Sequence, residues 1–174
     1  MKELKSTRRD SPRHSPAVLA VCLIVAITSG FLAGCSLEPG NRTEATEATF
    51  EQARVSSVVD GDTVVLEDGS RVRYLGIDTP EIGEYYYEEA TERNRDLVEG
   101  RVVELQRGSR DIDEYGRLLR YIYADGVFVN AELVADGYAE AYRKGPDERY
   151  SQVLFMLEEY AQIKGAGLWS GQGP

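Results

Sequence analysis

Cysteine and histidine are almost missing from this chain of 174 residues. It has two cysteines, Cys22 and Cys35, and one histidine, His14, and all three fall within its first 35 residues. From Ser36 onward there is neither thiol nor imidazole. That excludes a disulfide framework, a Cys–His pair, a Ser–His–Asp triad, a histidine general base and a zinc held by His or Cys from the main body. Lysine is scarce as well. Beyond Cys35 only Lys144 and Lys164 remain, fifteen basic residues face twenty-eight acidic ones, and the whole chain carries a formal net charge of −10. The main body must therefore work with Asp, Glu, Tyr, Arg and any bound ion. An acid-rich, lysine-poor surface fits two origins, a protein of concentrated salt or an ordinary acidic secreted protein. At about 1 M salt the screening length is roughly 3 Å, so overall repulsion of a polyanion would be small and its binding would rest on close arginine contacts.

One apolar stretch breaks the polar pattern. Residues 17–33 follow Lys2, Lys5, Arg8, Arg9 and Arg13 and end in Leu32-Ala33-Gly34-Cys35. A basic start, a short apolar run and small residues describe an export signal rather than a membrane span. Leu-Ala-Gly-Cys also resembles a lipobox, which predicts cleavage before Cys35 and lipidation of that residue. A plain cleavable signal or an uncleaved anchor is the alternative. We therefore read 1–35 as a signal peptide with a lipobox. Residues 36–50, rich in Glu, Thr, Ser and Ala around Pro39-Gly40, read as a flexible tether. Residues 51–174 read as one folded domain. The expected location is extracytoplasmic, at the cell membrane through lipidated Cys35, with full secretion as the alternative. The membrane contact would be the lipid alone, and the chain is expected to be a monomer.

Within 51–174 the pattern predicts strands over 55–59, 63–67 and 71–77, separated by Asp60-Gly61 and Asp68-Gly69 turns. A helix over 88–99 stops at Gly100. Further strands are expected over 101–106 and 118–123, and Asp125-Gly126 turns into 127–129. Asn130 is expected to cap a short helix reaching Asp136. The last helix, capped by Asp147, runs to Lys164 with Val153, Leu154, Leu157 and Ala161 at helical spacing. Trp169 is expected to pack a closing segment onto the domain. The order βββαββαα predicts an α+β, mainly β architecture: a five-stranded OB-type barrel with about three helices.

Three segments concentrate the chemistry: Asp60-Gly61-Asp62-Thr63, Arg73-Tyr74-Leu75-Gly76-Ile77-Asp78-Thr79-Pro80-Glu81, and Asp113-Glu114-Tyr115-Gly116-Arg117. They supply hard carboxylate oxygens for a metal, a Glu for a water and two arginines for a phosphate. Each residue also has a plain structural reading. Asp62 and Asp78 suit turn caps, Glu81 a first-turn helix position, and Arg73 and Arg117 surface ion pairs. Arg73 and Asp78 are five residues apart, so strict strand alternation puts them on opposite faces. They can meet only if the chain bends, and Gly76 is the expected place.

In this order the three segments resemble the staphylococcal nuclease (thermonuclease) family. The likeness runs from about Ala53 to Ser170 and includes Tyr121-Ile122-Tyr123-Ala124-Asp125-Gly126 and Leu168-Trp169-Ser170. It implies a nuclease domain over 51–174 with the staphylococcal nuclease fold, hydrolysing phosphodiester bonds of DNA, with RNA a second candidate, and leaving 3′-phosphate ends. It implies calcium (Ca2+) held by Asp62, Asp78 and the Thr79 carbonyl. Glu81 would be the general base, Arg73 and Arg117 the catalytic phosphate clamps, and Tyr115 and Tyr142 would contact the bound nucleotide. Asp60 would hold metal-bound water or only the turn. The segment after Glu81 is shorter than in the best-known member, and Glu114 stands where that member has a basic residue. Two other readings stay open: a noncatalytic nucleic-acid-binding domain on the same fold, and a lipoprotein using Asp62 and Asp78 for a stabilising ion.

Overall fold

A computed structural model describes residues 50–142 and 149–171. The signal, Cys35, nearly all of the tether and the expected cap Asp147 lie outside the described residues. The tether's last residue, Phe50, already belongs to the first strand. The first three strands are β1 (Phe50–Val58), mostly exposed around buried Val55, the largely buried β2 (Thr63–Leu66), and β3 (Arg71–Tyr74), where Val72 and Tyr74 are buried. These form an antiparallel meander. A two-residue strand β4 (Ile77–Asp78) and helix α1 (Tyr87–Val98) follow. Then come β5 (Val102–Ile112), β6 (Leu118–Ala124) and the short β7 (Val127–Phe128). Helix α2 (Val129–Ala135), strand β8 (Glu140–Ala141), helix α3 (Ser151–Lys164) and a 3-10 turn (Gly167–Trp169) complete the chain.

Pairing runs β3-β2-β1-β5-β6, and β3 also pairs in parallel with β6. That last contact closes the sheet into the expected five-stranded barrel, so none of the five is left with a wholly open edge. β7 hangs from β6 as a hairpin, and β4 pairs with β8 outside the barrel. The core takes Val55, Val64, Val72, Tyr74, Leu105 and Ile122 from the barrel, Leu97 from α1, Leu133 from α2 and Leu154 from α3. α3 packs on α2, with Leu154, Leu157 and Ala161 buried at helical spacing.

Three expectations change, the first being the strand expected over 101–106, which continues as β5 to Ile112. The strand expected over 71–77 is broken: β3 ends at Tyr74, Gly76 takes φ +74°, and β4 restarts at Ile77. A left-handed backbone is open to glycine and strained for other residues. Asn130 is not the cap of α2. Phe128 holds that position, and Asn130 lies inside the first turn with its side chain buried. There it accepts from the Ile122 amide and donates to the Leu75 carbonyl, both at 2.9 Å. An asparagine favours a cap when its amide has no better use, and here two buried backbone groups outside the helix claim it.

Candidate functional site

The site begins with the loop between β1 and β2. Asp60 Oδ1 accepts from the Asp62 amide at 3.1 Å, a local turn bond that points the Asp62 carboxylate inward. Gly61 lets the loop lie against Thr79: a Cβ at Gly61 would sit 2.8 Å from the Thr79 side chain. Asn94 on α1, fully buried, donates to the Asp60 carbonyl and accepts from the Tyr74 hydroxyl, both at 2.9 Å. Burial pushes the Tyr74 phenol well above its ordinary range, so it stays a neutral donor.

Asp62 is 4 % exposed. Its Oδ2 accepts from the Thr79 amide and hydroxyl, each at 3.0 Å, and lies 2.6 Å from Arg73 Nη1. Burial raises this carboxyl above the usual carboxylate range; Arg73 opposes the shift, Asp60 adds to it, and the Thr79 bonds oppose it. The bend at Gly76 brings Asp78 round to the same guanidinium, with Arg73 Nη2 2.6 Å from Asp78 Oδ1. Arg73 Nη1 also donates to the carbonyls of Ile77 and Tyr74 at 3.0 and 3.2 Å. Arg73 thus stands between the two carboxylates, and five residues of separation in sequence become one shared contact in space.

Arg117 is held from the hairpin between β5 and β6. Asp113 Oδ1 accepts from the Tyr115 and Arg117 amides at 2.9 Å, and Oδ2 accepts from Arg117 Nε at 2.7 Å. Burial would raise the Asp113 carboxyl, but bonds from Arg117 and Tyr115 outweigh it and hold the group below its ordinary value. The Arg117 guanidinium lies 5.4 Å from the Tyr115 ring centre. Tyr115 itself is 76 % exposed. Tyr142 is held by its amide, which donates to the Gly76 carbonyl at 2.9 Å. Arg73, Arg117, Tyr115 and Tyr142 line one cleft of about 330 Å3, together with Arg110, Asp113 and Glu114.

Glu81 is not drawn into this cleft. It follows Pro80 on an exposed turn, where its amide donates to Glu84 Oε2 at 2.7 Å and its carbonyl accepts from the Glu84 amide. A second cleft, of about 480 Å3, runs past Asp78, Thr79, Pro80, Tyr85 and Glu140. Burial, then Glu158, Asp78 and Glu84, raise the Glu140 carboxyl. Tyr85 bonds Ser170 at 3.2 Å, and Tyr86 stacks on Tyr138 with ring centres 5.5 Å apart. Much of the three-tyrosine run therefore packs the turn against the rest of the domain.

Among the described residues, no group of three or more His, Cys, Asp or Glu gathers as a metal site. Asp62 and Asp78 meet different terminal nitrogens of the one Arg73 guanidinium, and Thr79 is bonded to Asp62, so the hard oxygens on hand are two carboxylates with Thr79 next in the chain to Asp78. Such hard oxygens fit calcium, which fills its remaining positions with water. Sequence reasoning missed Asn94 and Arg110 and gave Asn130 a cap's role in place of its buried cross-link. Both asparagines are ordinary helix residues in the sequence, and nothing local marks them as loop anchors.

Residues 71–171 match the family described as staphylococcal nuclease homologue. The matched span holds Arg73, Asp78, Thr79, Glu81 and Arg117, whereas Asp62 lies before it. Endonuclease YncB of Bacillus subtilis is 34 % identical over 145 residues, covering 76 % of this chain and 66 % of that protein. The SPbeta prophage-derived endonuclease YokF of the same organism is 37 % identical over 142 residues, 75 % of this chain and 46 % of that protein. This chain therefore spans under two thirds of the length of either relative. Thermonuclease of Staphylococcus intermedius is 27 % identical over 161 residues, 87 % of this chain and 94 % of that protein.

Proposed function

The chain belongs to the staphylococcal nuclease family, and we propose that it is a calcium-dependent endonuclease that hydrolyses phosphodiester bonds of DNA, and of RNA, leaving 3′-phosphate ends. The observation that carries this reading is the pairing of Arg73 with both Asp62 and Asp78 at 2.6 Å, beside a cleft into which Arg117 also reaches. Anion-binding and cation-binding groups then adjoin, as phosphoryl chemistry requires. The names of the relatives support the same reading.

Asp62, Asp78 and the Thr79 carbonyl would hold the calcium, which supplies Lewis-acid polarisation of a phosphate oxygen when bound. With Asp62 and Asp78 serving as ligands, Arg73 would be free to pair with the phosphate. Arg73 and Arg117 would donate paired N–H bonds to phosphate oxygens, more strongly as charge builds in the transition state. Asp113 keeps Arg117 in position for this without compensating motion. Glu81 would take the proton of the attacking water, a role left to a carboxylate by the lack of histidine in the main body. Its turn would have to bring the carboxylate toward the cleft. Tyr115, exposed and with Arg117 over its ring, would stack on or border the nucleotide, and Tyr142 would flank it.

Export and lipidation at Cys35 remain part of the proposal on sequence grounds. No helix among the described residues is long and apolar enough to cross a membrane. In expressing cells, Cys35→Ser should move the protein from the membrane fraction to the soluble one; unchanged membrane association would refute the lipid anchor.

The enzymatic test uses the full chain on single-stranded DNA with calcium and with chelator. Glu81→Gln should lower kcat by about 10²–10⁴-fold, the range of a positioned acid–base group, with melting temperature unchanged. Arg117→Lys should lose roughly 10²-fold, because a point charge cannot reproduce the guanidinium fork. Cleavage that survives chelation, or a fully active Glu81→Gln, would sink the mechanism. Binding without turnover would instead favour the noncatalytic reading, to which the solvent-facing Glu81 lends some weight.

A further inference from the structure

Arg110 lines the arginine-bearing cleft with Arg73, Arg117, Tyr115 and Tyr142, and nothing in the mechanism above uses it. It lies in β5 where pairing with β6 loses register, between Arg107↔Arg120 and Ile112↔Leu118. Irregularities of this kind bend a strand and re-aim its side chains. This one is pinned at Asp111. Arg120 Nη1 lies 2.8 Å from the Asp111 carboxylate and donates to its carbonyl at 3.2 Å, and Arg107 Nη2 lies 2.8 Å from the same carboxylate. Arg120 is itself buried. Two arginines thus spend their charge on Asp111, while the preceding residue, Arg110, faces the cleft.

The three cleft arginines differ in how far their charge is neutralised. Arg73 is paired with Asp62 and Asp78, and Arg117 with Asp113. Arg110 has no hydrogen bond or ion pair with the described residues, and its charge is open to a ligand. Glu114 borders the same cleft and repels phosphate, so an unneutralised cation there decides whether the far part of the cleft attracts or rejects a polyanion. In a protein of net charge −10 no general field makes up for it.

We propose that Arg110 binds the phosphate next to the one being cleaved in a single-stranded nucleic acid, so that the cleft engages two consecutive phosphates. The proposal rests on the nuclease reading above. Its consequence is a preference for oligonucleotides over substrates with a single charged phosphodiester. Arg110 contributes to KM rather than to kcat, because its contact is made equally in the ground state and the transition state.

The test uses the full chain, wild type and Arg110→Ala, with calcium. One substrate is a short oligothymidylate with every linkage charged. The other has a single central phosphodiester and neutral methylphosphonates elsewhere. Wild type should show a KM about five- to tenfold higher on the second. Arg110→Ala should show that loss already on the first and little more on the second, with kcat within about twofold. In parallel, fluorescence anisotropy of the labelled all-charged strand across a salt series should give a log Kd against log salt slope shallower by about 0.7 for Arg110→Ala. Arg110→Glu should deepen the loss without lowering the melting temperature.

Equal effects of the variant on both substrates, or an unchanged salt slope, would overturn the proposal. Binding without turnover would refute the catalytic reading while the anisotropy series still decides the role of Arg110. A full chain that neither binds nor cleaves would refute both.

Discussion

Arg73 and Arg117 are both arginines in one cleft, yet their partners give them different parts. Arg73 is bonded on both terminal nitrogens to carboxylates expected to hold a metal, so its availability to a phosphate is tied to what those carboxylates do. Arg117 is aimed in advance by one residue, Asp113. Asp113→Asn preserves the shape and an acceptor for the turn amides but turns an amide N–H₂ toward Arg117 Nε. We expect kcat to fall about tenfold or more with little change in melting temperature, consistent with the weight of a hydrogen bond to a charged group. The sign of its pH effect follows from the lowered folded value. The pairing contributes fully above the ordinary value of 3.8 and is lost as pH falls through the lower folded one. Acid unfolding of Asp113→Asn should therefore be less steep than that of the wild type below that pH, and identical curves would contradict the assignment. The types of these residues were readable from the motif. The pairings were not, because which acid meets which arginine depends on bonds across the turn and across the barrel.

Elements matter here through the loops they hold. Asn94 on α1 carries the Asp60 carbonyl and Tyr74 hydroxyl, and Asn130 on α2 carries the Leu75 carbonyl and Ile122 amide. Each helix thus steers one of the two loops that meet at Asp62 and Asp78. Asn94→Ala leaves the buried Tyr74 hydroxyl without its acceptor, at a cost of about 1–3 kcal/mol, and removes the donor from the part-buried Asp60 carbonyl. It should lower the melting temperature and weaken calcium's effect on activity together; a large loss of stability with normal calcium dependence would separate α1 from the site. Gly61→Ala tests the opposite face of the same loop. Its methyl would meet Thr79 at 2.8 Å, a degree of overpacking that costs about 1–3 kcal/mol. Displacement of Thr79 should raise the calcium concentration needed for half-maximal cleavage, and an unchanged calcium titration would show that the loop yields elsewhere. The need for a bend at Gly76 was legible from strand alternation alone. The use of Asn130 was not, since a cap and a buried cross-link look identical in a single helix.

At the scale of the molecule, a chain of net charge −10 would have to meet a polyanion through the arginine-lined cleft. Among the described residues only Arg73, Arg110 and Arg117 line it as cations, so these would neutralise no more than about three phosphates. The slope of log K against log salt for single-stranded DNA should therefore be no steeper than about −2. A much steeper slope would reveal a basic path outside the cleft. The sequence by itself determined the succession of strands and helices and the barrel class they suit, because β-rich runs, Asp-Gly turns and helical spacing are local signals. It also determined the inventory of reactive groups, because the loss of histidine and cysteine beyond Cys35 leaves few other choices. Tertiary structure decided the rest: closure through β3 and β6, the meeting of Asp62 with Asp78 on Arg73, and the turning of Arg110 into the cleft. These depend on contacts between segments far apart in the chain, whose energies appear only when the barrel closes and brings the loops together.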